Sequence, residues 1–515
     1  MAPGHITSSP EAELGLPDDH RASCRQPLSA VARRWLSYAI FFCLLFFTAA
    51  LPHSIKGAQH GWRIASLLWL LKLAVDRKRP HPQALSAPLL AYITLSGASS
   101  LLSVDPMLSW DRMKIVCLVL TGILIAQSLD RLSQIRTLVV LLLLSSFAVA
   151  VFTGWQYTYG IGVQIVQMPA GSPLSLAGIN ARDIITSIDG HTVHTPQQLA
   201  RQVESTAHRA FIQVSYVRGF PLRKLTASVA GDAFARSGLG TQRLILKRGK
   251  PTRAQGHLGH YVVFAQMLMQ LGCLAWAMVL TTGREKRLWQ ALSAVVFVAI
   301  TCALVFTETR TALVGLGLGC FVALLMLTGR RSRIWAAALL GLVVIFSAVW
   351  LQYNRRVSWI DFDDPGTRFR VLMWQDGLRL VHQHPWFGIG MESVRNHWRQ
   401  FNIRGFAQYH VVSHFHCDFL QIAVDRGLPA LAAWLWFVVA YIRFLLTTLR
   451  NVRARSRFAA GVLAAALAAF VGFQLTSILH YNLGEEPLVT ILFFYFGLAI
   501  AIDRICHQPG ACDVE

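Results

Sequence analysis

The stretch SHFHCDFLQIAVDRGLP, Ser413 to Pro429, gathers His414, His416, Asp418, Asp425 and Arg426 directly before a long apolar run. An unperturbed imidazole titrates near pH ~6.5, so His416 has the chemistry of a general base or of a group that orients a hydroxyl. The polar segment around it, 352–429, carries nine arginines, seven acids and six histidines. Such an arginine excess points to an anionic ligand, because a planar guanidinium matches phosphate oxygens two at a time and does not deprotonate. Asp418 and Asp425 read as partners of nearby arginines. Arg310, in TETRTALVG, stands at a predicted helix junction near the outer surface, where an unpaired charge is costly and tends to be functional. Glu308 beside it is an alternative base. In RFRVLMWQDGLRLVHQHPWFGIGMESV, Arg370 and Trp374 lie on a predicted helix that stops at His384-Pro385, before a glycine turn at Gly388 and Gly390. A solvated loop is the plainer reading of so many charges. The order of the residues, more than their number, favours a site.

Membrane helices must hold these residues in place. The 515 residues are 54% hydrophobic and 14% charged, the balance of a multi-spanning membrane protein. About 20 apolar residues cross a bilayer core. On that scale twelve spans are predicted, near 35–52, 59–75, 84–103, 113–128, 136–155, 259–281, 288–307, 309–328, 334–351, 430–448, 458–480 and 487–503. Every second connection is basic: DRKRPHP, DRLSQIR, REKR, RRSR and RNVRARSR. Short basic loops stay on the cytoplasmic side, so these and both termini are expected there, with Lys56, Arg112 and Lys114 as exceptions. The N-terminal tail 1–34 has no signal-peptide core, and 504–515 forms a second tail. Helices are then expected over 35–155, 259–351 and 430–503, and the two long polar segments, 156–258 and 352–429, face outward together. The net charge of +22 sits largely in the short loops, which argues against nucleic acid as the partner. Most of the nine cysteines lie inside apolar runs, where a thiol packs as a small hydrophobe. No disulfide framework is readable. Cys506, His507 and Cys512 lack a second ligand pair at zinc spacing, and neither a metal nor a cofactor is expected.

Between Gly160 and Ala230 the helical period gives way to short alternating runs separated by turn residues. The segment GIGVQIVQMPAGSPLSLAGINARDIITSIDGHTVHTPQQLARQVE resembles a bacterial PDZ domain. Its central pattern runs through Gly171-Ser172-Pro173, Ala177-Gly178-Ile179 and DIITSIDGHTV; TPQQLARQV matches the binding helix and FIQVSYVRG a closing strand. A PDZ domain receives an extended peptide as an added strand, with loop amides taking its terminal carboxylate. The resemblance gives that loop to Gly160, Ile161, Gly162 and Val163, and implies a periplasmic peptide or protein as partner. A module that only shapes the outer face or docks a partner subunit is the alternative.

The order of an arginine junction, R…W, HPWFGIG and a histidine followed by ten residues and glycine, His416 to Gly427, resembles the O-antigen ligase and polymerase superfamily. RAQGHLGHYVVFAQML, Arg253 to Leu268, is similar to that family's stretch before its middle spans. Cys417 departs from the asparagine or serine that usually follows the motif histidine. The resemblance implies an all-α polytopic membrane fold, GT-C-like, of about 12 transmembrane helices with a small α+β PDZ-like insert. It also implies a metal-independent glycosyltransferase of the bacterial inner membrane. Such an enzyme takes a glycan from undecaprenyl diphosphate on the periplasmic side and passes it to lipid A core or another glycan acceptor. Arg253, Arg310, Arg368 and Arg370 would then contact the diphosphate. His416 would act on the acceptor hydroxyl, with His414 and His260 as possible acceptor contacts.

Ligase, polymerase and protein O-oligosaccharyltransferase share these motifs. The histidine-to-glycine motif favours the ligase, and no large C-terminal outer domain supports protein glycosylation. A transporter would place acids at mid-span and show repeat symmetry, neither of which is found. A site-2-type protease needs HExxH, which the chain lacks. A PDZ-bearing envelope scaffold is the remaining reading from another class.

Overall fold

A computed structural model describes residues 28–76, 85–169, 171–206, 208–218, 223–236, 244–249, 253–281, 287–329, 365–508 and 512, with five isolated positions from 334 to 349. The chain is an all-α multi-pass membrane protein carrying a small sheet-containing insert. Helices α1 (Leu28–Ala50), α2 (Ile55–Asp76), α3 (Ser86–Leu101), α4 (Pro106–Val116), α5 (Val119–Ser128) and α6 (Leu132–Tyr159) precede the insert. The insert holds β1 (Gly162–Gln167), α7 (Pro173–Leu176), β2 (Ile184–Ile188), β3 (His191–Thr192), α8 (Pro196–Thr206), β4 (Phe211–Arg218), β5 (Arg223–Ala230), α9 (Gly231–Arg236) and β6 (Ile245–Gly249). After it come α10 (Tyr261–Thr281), α11 (Arg287–Phe306), α12 (Arg310–Leu327), α13 (Pro365–Gln383), α14 (Ser393–His397), α15 (Arg404–Tyr409), α16 (Asp418–Val452), α17 (Arg457–Thr476) and α18 (Glu486–Cys506).

Among the described residues eight helices are long and apolar enough to cross a membrane: α1, α6, α10, α11, α12, α16, α17 and α18. The twelve expected spans differ from these for identifiable reasons. The expected span 113–128 is two short helices, because α4 closes at Val116 and α5 starts afresh at Val119. The span 84–103 yields a helix of only 16 residues, and 59–75 lies inside α2, which carries Lys56, His60, Arg63 and Lys72. The span 334–351 falls largely outside the described residues.

The centre of the bundle is α10, α17 and α18, whose apolar windows are 83%, 78% and 83% buried, against 22% for α1 at the periphery. Helices inside a bilayer gain little from hiding apolar surface from each other, so close approach depends on small residues. Gly315 and Gly319 of α12 meet Ala468 and Gly472 of α17. A Cβ at Gly472 would lie 2.9 Å from the Gly315 carbonyl, and one at Gly319 2.9 Å from the Ala468 carbonyl.

Among the described residues, the basic connections DRLSQIR and RNVRARSR meet at one end of the bundle. Arg504 bonds the Leu129 carbonyl and Asp130, Arg455 the Cys506 carbonyl and Arg453 the Leu327 carbonyl. Cys506 and Cys512 form a disulfide there, a pairing the sequence did not disclose because no second cysteine pair framed it. At the opposite end Arg253 approaches Glu308, Thr311 meets His480, and the insert follows directly from α6.

The insert's sheet runs β5-β4-β2-β1-β6, all antiparallel, with β3 beside β2. This order corrects the assignment of the peptide loop. β1 is paired on both edges, with β2 and β6, and the Ile161 amide donates to the Gly249 carbonyl at 2.8 Å. A strand with two partners has no edge to offer, so Gly160, Ile161, Gly162 and Val163 are not available to an added peptide. The outer strands of the sheet are β5 and β6, and β6 packs near α8.

Candidate active site

His416 is positioned by a clamp on the residue before it. The Phe415 side chain is fully buried, its carbonyl accepts from Trp374 Nε1 at 3.0 Å, and its amide donates to Gln421 Oε1 at 2.9 Å. Trp374 stands on α13 and Gln421 in the first turn of α16, so both helices fix the turn between them. His416 itself adopts a left-handed conformation, φ 53°, which costs a non-glycine residue energy and persists only where the surroundings impose it. Its amide donates to His414 Nδ1 at 3.2 Å, its Nε2 lies 3.4 Å from Ser413 Oγ, and the Phe369 ring meets it edge-on at 5.7 Å. Cys417 is the N-cap of α16 and its side chain makes no capping bond.

Past His416 the chain needs glycine. Helix α16 runs 35 residues but breaks at Gly427, φ 83° and ψ 170°. There the backbone meets the segment after α13: the Ile389 and Gly390 amides donate to the Val424 and Asp425 carbonyls, and the Leu428 amide donates to the Pro385 carbonyl. A Cβ at Gly427 would overlap the Trp386 carbonyl, and one at Gly388 the Val424 carbonyl. The two glycine motifs are thus two sides of one backbone-to-backbone contact. Asp418 and Asp425 are held here by hydrogen bonds, with the buried Arg426 guanidinium favouring both carboxylates as the sequence suggested. The Leu483 amide donates to Asp418 Oδ1 at 3.0 Å and Gln421 Nε2 to Asp425 Oδ1 at 2.9 Å. Buried Arg426 bonds Tyr92 Oη and Met391 Sδ.

Arg370, half-buried in the first turns of α13, is the charge nearest this chemistry. Burial, then the Arg370 guanidinium, pushes the His416 imidazole down to about 4. The ordinary value of 6.5 used for the sequence reading therefore does not apply; His416 is neutral at pH 7 because protonation would put a second cation in a poorly solvated place. His480, between α17 and α18, is pushed down to about 3 by burial and then by Arg370, His416 and His260. His414 lies well below its usual range, chiefly through burial and then His416 and His480, and His260 is lowered by burial.

Arg310 is the first residue of α12 and is half-buried. A helix N-terminus presents unpaired amides and a partial positive charge, so Arg310 and the end of α12 both favour an anion. Arg253 lies 3.7 Å from Glu308 and its guanidinium sits over the Tyr261 ring at 4.5 Å. The adjacent Ala254 amide donates to the Phe306 carbonyl, tying this segment to the turn that carries Arg310. Arg368 is exposed, two positions before Arg370 on α13. The predicted residues thus share one end of the bundle, where Arg370 acts electrically on His416, and His416 and His260 on His414. His480 is the member that sequence reasoning missed.

Residues 294–435 match the O-antigen ligase family model, and residues 164–212 match the PDZ domain model. The first match takes in Arg310, Arg368, Arg370, His414 and His416, whereas Arg253, His260 and His480 lie outside it. No curated protein matches the chain.

Proposed function

We propose that this chain, with its O-antigen ligase domain and inserted PDZ domain, is a glycosyltransferase of the bacterial inner membrane. It moves a glycan from undecaprenyl diphosphate to lipid A core at the end of the bundle where the insert sits. The observation that carries this reading is a neutral His416 beside the fixed cation Arg370, within the matched ligase domain.

The acceptor hydroxyl oxygen bonds to the anomeric carbon, and the carbon–oxygen bond to the diphosphate breaks with its electron pair leaving on the diphosphate. The hydroxyl proton passes to His416, which must be unprotonated to take it. Arg310 and Arg370, with Arg253 and Arg368 beside them, stabilise the charge that grows on the leaving group. Preorganised cations at a poorly hydrated site do this without reorganising during the reaction. His414 and His260 flank the acceptor. The PDZ domain takes an extended periplasmic peptide as a strand added at an edge of its sheet.

Purified protein, undecaprenyl diphosphate glycan and lipid A core, with EDTA present, test the reading. Wild type is expected to transfer glycan to lipid A. Arg310→Ala, Arg370→Ala and His416→Ala are each expected to lower the rate about 100-fold or more while the protein remains folded in the membrane. Normal transfer by all three variants would remove the site. Ladders of lengthened carrier-linked glycan would make the enzyme a polymerase instead.

A further inference from the structure

The loop between α17 and α18, residues 477–485, joins two parts of the site that are far apart in sequence. Its first end is fixed to the start of α16, next to His416. The Asp418 amide donates to the Ser477 carbonyl at 2.8 Å and the Leu483 amide donates to Asp418 Oδ1 at 3.0 Å. Asn482 Nδ2 closes the loop on itself, bonding Thr476 Oγ1 at 2.9 Å and Ser477 Oγ at 3.3 Å. Its other contact reaches α12, where His480 Nε2 lies 2.8 Å from Thr311 Oγ1. Thr311 follows Arg310 directly, so this hydrogen bond is made in the first turn of α12.

We infer that His480 is a positioning residue, which through Thr311 sets the first turn of α12, and with it Arg310, at its working distance from His416. The inference rests on the proposed transfer reaction and deepens it. First turns fray because their amides lack partners within the helix, and the N-cap Thr309 makes no side-chain cap bond. An anchor from a neighbouring loop supplies what the cap does not. A neutral imidazole is suited to this role, since it is a strong acceptor and adds no cation beside Arg370. The groups that face it are Arg370, His416, His414 and His260, and none of them is an acid that would hold a proton on the ring.

Three variants carry the test: His480→Ala, His480→Gln, which keeps an amide able to bond the threonine hydroxyl, and Thr311→Val. The Ala and Val variants are each expected to lower kcat about tenfold, the double variant to be no slower than either alone, and Gln to restore most of the rate. The pH profile should stay that of wild type, because His480 moves no proton. Independently of activity, amide hydrogen exchange over residues 309–313 should rise in the Ala and Val variants and not in Gln. Additive losses, a Gln variant as slow as Ala, or a shifted pH profile would overturn the inference. Unchanged exchange in the Ala variant would overturn it even if the wild-type protein transferred no glycan, a result that would separately defeat the reading of function.

Discussion

At the scale of single residues, the decisive fact about His416 is its surroundings. Burial and Arg370 hold its folded pKa at about 4, below the 6.5 of an unfolded chain. Between those values the unfolded state binds more protons, so stability is full above about pH 6.5 and is lost as pH falls through that window. NMR titration of the His416 ring should find its midpoint near 4, and Arg370→Gln should move the midpoint up, though not to the ordinary value, since burial remains the larger cause. His416→Gln should make the protein more tolerant of acid, read by intrinsic fluorescence. A midpoint near 6.5 in wild type would sink the neutral-base argument. The sequence announced His416 through its distance from Gly427 and through the neighbouring aromatic and arginine residues. It could not announce the pKa, because that depends on Phe369, Phe415 and Arg370 closing around the ring. His480 stayed hidden for a related reason: in LTSILHYNLGEEP it reads as the tail of an apolar span, whereas the helix ends earlier, at Thr476.

Among elements, the contact that shapes the site is the meeting of Gly427 with the segment 385–390. Gly427→Ala would place a side chain at φ 83° and drive its Cβ into the Trp386 carbonyl. The backbone strain alone is of order 1–3 kcal/mol, and the overlap adds to it. The variant is expected to reach the membrane, melt lower than wild type and transfer glycan slowly, whereas Leu428→Ala, at the exposed neighbouring position, should do neither. If Gly427→Ala behaved as wild type in a melting assay, the backbone contact would be ornamental. Glycine and proline punctuation made this junction legible: HPWFGIG and the glycine after His416 were both marked in the sequence, though not that they touch. The insert was less legible. The alternating runs identified strands and the binding helix, but pairing is not written in local pattern. Only the sheet order shows that β1 is interior and that β6, drawn from beyond the expected module, is one of the two outer strands.

For the whole molecule, the question is which end faces out. Arg131, Arg136, Arg453 and Arg455 belong to connections at one end, and the short-loop rule assigns that end to the cytoplasm. The Cys506–Cys512 disulfide lies at the same end, yet cytoplasmic thiols are kept reduced. The two observations pull in opposite directions, and the loop charges are the stronger guide because they recur at several connections whereas the disulfide is a single local pairing. The expected outcome is that Cys506 and Cys512 are thiols in the cell and form the bond only on oxidation. Two reporter cysteines in a background lacking the native ones decide the matter. Glu204→Cys, exposed on α8, should react with a membrane-impermeant maleimide in whole cells, and Gln508→Cys, exposed just past α18, only after the membrane is opened. The reverse pattern would put the basic end outside and make the disulfide native to an oxidising compartment. It would also place His416 and Arg370 on the cytoplasmic side, where transfer to lipid A core in the periplasm cannot occur.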